Sequence, residues 1–135
     1  MLTKPSAVGE ATLGGHRIFL VEDEALVLML LEDILTDLGC TIVGPASRLA
    51  EALAIATDPT AAMDAAVLDV NIRGEAVFPV AEALAARGVP FAFATGYGAA
   101  GLPEQWRDRP VLPKPFDQAD VARVIAHALA GTGSV

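Results

Sequence analysis

Five short apolar runs, separated by stretches of helical periodicity, leave this chain few ways to fold. The runs are 17–21 (RIFLV), 41–43 (TIV), 65–69 (AAVLD), 91–94 (FAFA) and 111–112 (VL). Strands that are apolar throughout, rather than at every second residue, are buried on both faces, as in a parallel sheet covered by helices. Helical patterns follow each run, over 24–38, 48–57, 76–87, 99–107 and 118–130. Gly39 is placed to end the first helix and Gly88 the third. Gly44 and Pro45 stop the second strand, and Ser47 is placed to cap the helix after it. Pro103 interrupts the fourth helix, the weakest of the five. Asp117 and Asp120 stand in capping-box positions before the last, with Asp where Glu is usual. Five strands alternating with five helices imply a doubly wound α/β sandwich. Right-handed crossovers then favour a parallel sheet in the order 2-1-3-4-5.

The 135 residues suit one domain, with a tail over 1–15, the folded unit over 16–131 and a second tail over 132–135. Cys40 is the single cysteine, so no disulfide framework or thiolate cluster is available within the chain. That is in keeping with a reducing cytoplasm, the expected location. Seventeen acidic residues against nine basic ones give a net charge of −8, which argues against a nucleic-acid surface. The longest apolar run, 25–31, is too short to cross a bilayer, so no membrane association is expected.

In doubly wound sheets ligands bind beyond the carboxyl ends of the strands. There the sequence changes character abruptly. Glu22, Asp23 and Glu24 close the first strand, Asp69 the third, Thr95, Gly96 and Tyr97 the fourth, and Pro113, Lys114 and Pro115 the fifth. Each group alone has a plain reading: a turn residue, a helix start, a loop lysine. Together they meet at one edge of the sheet. Carboxylates gathered there repel one another, and a hard divalent cation such as Mg²⁺, with Mn²⁺ as a substitute, relieves the repulsion. An aspartate beside such an ion can attack a phosphoryl group and form an aspartyl phosphate. Lys114 and the ion would neutralise the equatorial oxygens, and the Thr95 hydroxyl would hydrogen-bond another.

The segments 21–24 (VEDE), 67–71 (VLDVN), 94–96 (ATG) and 113–116 (PKPF) together resemble the response regulator receiver family, with its flavodoxin-like, CheY-like (βα)5 fold. The resemblance spans roughly residues 17–130. It implies that Asp69 is the phosphoacceptor and that Asp23 binds the metal with Glu22 as its acidic neighbour. The Asn71 backbone carbonyl would complete the protein's metal ligands. It further implies that Lys114 contacts the phosphoryl group, that the Lys114–Pro115 bond is cis, and that Gly74 stands where the family favours glycine. Receivers typically carry Tyr or Phe three residues before the lysine, and here that place is Val111. The segment 93–98 (FATGYG) instead resembles the FATGUY subgroup, which makes Thr95 and Tyr97 the candidate switch pair.

What the resemblance implies is a stand-alone response regulator. It would accept phosphate from a histidine kinase or a histidine phosphotransfer protein and signal to a downstream protein, or serve as a phosphate intermediate or sink. It would catalyse only its own phosphorylation and dephosphorylation, and it would be a monomer or weak homodimer. An aspartyl-phosphate phosphatase needs a second Asp where this chain has Asn71. A phosphorylation-independent module would have no use for the intact set Asp23, Asp69, Thr95 and Lys114. On the first helix, at about 100° per residue, Val27, Leu30, Leu31, Ile34, Leu35 and Leu38 fall on one stripe that can pack on the sheet. Leu26, Leu28 and Met29 are left as a candidate partner-docking surface.

Overall fold

The computed structural model describes residues 13–131. The elements in order are β1 (Arg17–Val21), α1 (Ala25–Asp37), β2 (Thr41–Ala46), α2 (Leu49–Ala56) and β3 (Ala65–Asp69). Then come β4 (Asn71–Ile72), β5 (Glu75–Ala76), α3 (Phe78–Ala86), β6 (Phe91–Thr95), β7 (Val111–Pro113) and α4 (Gln118–Gly131). The main sheet is parallel with neighbours β2-β1-β3-β6-β7, which is the expected order once the small antiparallel hairpin β4–β5 is set apart.

The central strands β1, β3 and β6 are buried on both sides, while β2 and β7 at the edges are partly open, and alternate strand residues serve different helices. Ile18, Leu20, Ala65, Val67, Ala92, Ala94 and Leu112 pack with Leu31, Leu35, Val121 and Ile125 from α1 and α4. Phe19, Val21, Ala66, Leu68, Phe91 and Phe93 pack with Ala52, Ala56, Val80 and Leu84 from α2 and α3. In β6 this alternation sends both phenylalanines to one face and both alanines to the other. Phe93 meets Phe78, Phe91 and Trp106 edge to face, with ring centroids 5.8, 5.4 and 6.3 Å apart.

Several local expectations need correction. The fourth helix is absent as an α-helix; residues 99–101 and 104–106 form two short 3-10 turns. Pro103 removes an amide donor between them, and buried Leu102 and Trp106 anchor the segment instead. Strand β2 does not stop at Gly44 but runs to Ala46, through a cis Gly44–Pro45 bond and a register shift opposite Phe19–Val21. Ser47 does not cap α2. Arg48 holds the cap position, and the Ser47 amide donates to Glu51 Oε1 at 3.0 Å. Of the expected amino-terminal tail, Leu13 belongs to the core, and Gly15 N–H donates to the Gly39 carbonyl at 2.9 Å. Residues 1–12 and 132–135 lie outside the described residues.

Other expectations hold. Gly39 follows α1 at φ 89°, a conformation a side chain would strain, with Gly14 Cα 3.1 Å from where its Cβ would be. Asp117 and Asp120 form a reciprocal box: each amide donates to the other's carboxylate, at 3.0 and 2.9 Å.

Helix α1 buries Leu31, Ile34 and Leu35, with Leu38 buried just past its end and Val27 and Leu28 partly buried beside them. Leu30, expected inside, is 46% exposed, whereas Leu28, expected outside, packs against the core. The reason is angular. Taking Leu31 as the centre of the buried arc, Leu28 lies about 60° to one side and Leu30 about 100° to the other. The exposed apolar face is therefore Leu26, Met29 and Leu30.

Phe93→Ala should lower stability by about 3–5 kcal/mol, because it removes a fully buried ring from a close-packed aromatic cluster. Chemical denaturation checks this: a midpoint equal to that of the parent protein would contradict the packing described.

Candidate functional site

The parallel strands deliver their polar ends to one place. In register, Val21 lies beside Leu68, Asp69 beside Ala94 and Thr95 beside Pro113, so the residues that follow β1 and β7 join those that close β3 and β6. They line a cleft of about 350 Å³ containing Asp23, Glu24, Asp69, Asn71, Thr95 and Lys114. A larger hollow, about 490 Å³, lies at the opposite end of the sheet among Val89, Phe91, Arg109, Pro110 and His127. It gathers no comparable set of reactive groups.

Lys114 organises the cleft. Its Nζ lies 3.2 Å from Glu22 Oε1 and 3.3 Å from Asp69 Oδ2. Its amide donates to the Thr95 carbonyl at 3.0 Å, which locks the end of β7 to β6, and the Lys114–Pro115 bond is cis. Glu22 is fully buried, and its Oε2 accepts from the Glu24 amide at 3.2 Å. Asp69 is buried, and its Oδ1 accepts from the Asn71 amide at 3.3 Å. The Asn71 side chain accepts from the Gly74 amide at 2.8 Å and fastens the acceptor loop. Thr95 is buried, and its hydroxyl oxygen accepts from the Tyr97 amide at 3.1 Å.

The charges do not balance. Burial pushes the Glu22 carboxyl up to about 7, and the neighbouring Asp69 charge adds to the rise while Lys114 opposes it. Burial likewise raises Asp69, against the pull of Lys114 and the Asn71 amide. Burial alone would lower Lys114, but the charges of Glu22 and Asp69 outweigh it and hold the ammonium above its ordinary range. One cation thus serves two buried carboxylates, with Asp23 as a third acid alongside.

This set fits a divalent cation. Oxygens of Glu22, Asp23 and Asp69 lie within 4.8 Å of one another. All are hard ligands of the kind Mg²⁺ and Ca²⁺ prefer. Glu22 Oε1 is buried, and among the described residues its one neighbour of opposite charge is the Lys114 ammonium 3.2 Å away, which it shares with Asp69. Three acids sharing one ammonium leave a net negative cleft, and that excess charge favours a cation.

SdrG from Sphingomonas melonis Fr1 is 50% identical to this chain, with 85% of this chain and 97% of SdrG covered at a TM-score of 0.75. The BeF3-activated conformation of SdrG is also 50% identical, covering 84% and 95% at a TM-score of 0.71. A response regulator receiver protein from Sinorhizobium medicae WSM419 is 26% identical over 89% of this chain and 98% of its own, at a TM-score of 0.73. The chain belongs to the response regulator receiver family. The receiver domain of the sensor histidine kinase PA1611 from Pseudomonas aeruginosa PAO1, which holds a magnesium ion in its active-site cleft, shares the receiver fold at 21% identity. It covers 87% of this chain and 99% of its own at a TM-score of 0.71. No protein-family model and no curated protein matches the chain.

As a receiver, the chain brings together the residues expected from its strand ends: Glu22, Asp23, Asp69, Asn71, Thr95 and Lys114. Tyr97 lines the same cleft at its rim and is 87% exposed, while Val111 is partly buried in the core. Two features escape a reading of the sequence. Leu30 joins the exposed face of α1, which only the packed helix angle reveals. Arg73 donates its amide to Asp23 Oδ2 at 2.8 Å. The one sequence signal for it is the Arg-Gly pair at 73–74, a weak hairpin mark beside Asn-Gly.

The raised Glu22 carboxyl makes a pH prediction. A carboxyl lifted from 4.5 to about 7 in the folded state stabilises the fold below pH 4.5, and that contribution disappears as pH rises through 7. Without metal, Glu22→Gln should flatten the fall in melting temperature between pH 5 and 8, and millimolar Mg²⁺ should restore part of the loss in the parent protein. Parallel stability–pH curves for the two proteins would contradict this.

Proposed function

We propose that this receiver accepts a phosphoryl group on Asp69 from a phosphohistidine donor, a histidine kinase or a histidine phosphotransfer protein. The observation that carries the reading is the buried Asp69 carboxylate paired with Lys114 at 3.3 Å in a cleft it shares with Thr95 and Asn71. An Asp69 oxygen attacks phosphorus, the P–N bond breaks, and the imidazole leaves with the bonding pair. Lys114 stands where it can neutralise a phosphoryl oxygen. The buried Thr95 hydroxyl, which already accepts from the Tyr97 amide, keeps its own proton to donate to another oxygen.

Mg²⁺, or Mn²⁺ in its place, would be held by Asp23, Asp69 and the Asn71 carbonyl with Glu22 behind them, and would supply positive charge to the phosphoryl oxygens. The acidic cluster and the magnesium in the PA1611 receiver support that choice. The only chemistry proposed is the receiver's own phosphorylation and hydrolysis, with no turnover of an external metabolite.

The readout is proposed to run through Thr95 and Tyr97, in the manner of the FATGUY subgroup. Val111 occupies the position of the usual aromatic, and Tyr97 is the exposed ring joined to Thr95 by its amide. Phosphorylation would shift an existing equilibrium of the 96–107 segment. That segment contains no α-helix and is held by buried Leu102 and Trp106 and by Arg107 Nε donating to the Leu102 carbonyl at 2.9 Å. The receiver is further proposed to act as a stand-alone cytoplasmic regulator, signalling by protein contact or serving as a phosphate intermediate or sink; its 50% identity to SdrG supports the receiver part of that reading. Among the described residues no helix is long and apolar enough to cross a membrane. The exposed face of α1, Leu26, Met29 and Leu30 beside the cleft, is the proposed contact for the phosphodonor.

Asp69→Asn should abolish uptake of labelled phosphate from a cognate kinase or phosphotransfer protein, and label persisting on that variant would refute the assignment. Met29→Glu should slow the transfer roughly tenfold, as expected for a contact residue contributing about 1.4 kcal/mol. Its melting temperature should not change, because the side chain is 57% exposed. An unchanged rate would remove α1 from the docking surface.

A further inference from the structure

Among the described residues Arg73 is the one non-glycine with positive φ, at 53°. With Gly74 at φ 84° it forms the two-residue turn between β4 and β5, where Ile72 pairs with Glu75. Positive φ at both central positions is the pattern served by Asn-Gly or Gly-Gly, and an arginine there is strained. Such strain persists where neighbours over-determine the residue, and it gathers at functional sites.

Two contacts hold Arg73 in place. Its Nε donates to the Ser47 carbonyl at 3.1 Å, and its amide donates to Asp23 Oδ2 at 2.8 Å. The first reaches from the acceptor loop to the loop after β2, and the second to the loop after β1. The side chain therefore clamps outward while the backbone points its amide at an acid of the cation cluster.

We propose that Arg73 is a positioning residue for the divalent-cation site: its guanidinium, anchored on Ser47, holds its own amide against one oxygen of Asp23, so that the other oxygen is presented to the ion beside Asp69. This rests on the receiver reading of the cleft. Hydrogen bonds that fix a ligating carboxylate from behind are worth about 10- to 100-fold in metal affinity. Charge alone predicts the opposite sign. Arg73 is a cation near a cation site, so removing it would tighten binding if electrostatics were its whole effect.

The test is calorimetric titration of Mg²⁺ into the full chain. Arg73→Asn and Arg73→Gly both accept positive φ, keep the amide and lose the guanidinium. Both should raise the Mg²⁺ Kd about tenfold. Their metal-free melting temperatures should equal or exceed that of the parent, because the turn is relieved of strain. An unchanged or lower Kd, beside a parent protein that binds Mg²⁺, overturns the role of Arg73 and leaves the receiver reading intact. A fall in metal-free melting temperature that accompanies the weaker binding also overturns it, because the tie would then be purely structural. A parent protein that takes up no Mg²⁺ overturns the receiver reading of the cleft and this inference with it.

Discussion

One ammonium facing two buried carboxylates is the interaction on which the cleft depends. Lys114 sits 3.2 Å from Glu22 and 3.3 Å from Asp69, and it cannot neutralise both. Burying a charged group without full compensation is costly, and folded proteins tolerate such a deficit chiefly at functional sites. Burial and the charge deficit together raise Glu22, burial raises Asp69, and the acidic cluster is left receptive to a divalent cation. The same arrangement that weakens the metal-free fold prepares the site for a phosphoryl group, whose oxygens need the positive charge collected there.

That arrangement requires a rigid frame, and the frame is the sheet. Each reactive group stands at or just beyond a strand end, and the central strands β1, β3 and β6 are packed on both faces. The Lys114 amide bonded to the Thr95 carbonyl and the β1–β3–β6 registers fix the separations that the chemistry needs. The segment that follows β6 is built differently. It carries two short 3-10 turns where an α-helix was expected, and the exposed Tyr97 near its start is linked to buried Thr95 through one amide. Rigidity at the acceptor and looser construction beside it suit a domain that must do chemistry at one point and report it at another.

Much of this was legible in the residues. Uninterrupted apolar runs specify buried parallel strands, and the switch to polar residues at Glu22, Asp69, Thr95 and Lys114 marks where they end. The reciprocal Asp117–Asp120 box and the break at Gly39 are local chemistry, and local chemistry is written in short stretches of sequence. The misplacements came where packing overrides local pattern. Leu28 and Leu30 differ by which side of the buried arc they fall on, which is set by how α1 lies on the sheet. Ser47 has the side chain of a cap, yet the chain enters α2 with Arg48 at the cap position.

The sequence by itself determined the sheet, its order and the acidic, hydroxyl and basic groups at its carboxyl edge, because hydrophobic periodicity and strand-end polarity depend on neighbours along the chain. Only the tertiary structure decided the charge deficit around Lys114, the exposed face of α1 and the tie from Arg73 to both Ser47 and Asp23. Those depend on distances between segments remote in sequence: Arg73 lies 26 residues from Ser47 and 50 from Asp23. No local pattern encodes a contact of that kind; it exists only once the strands have brought their loops to the same edge.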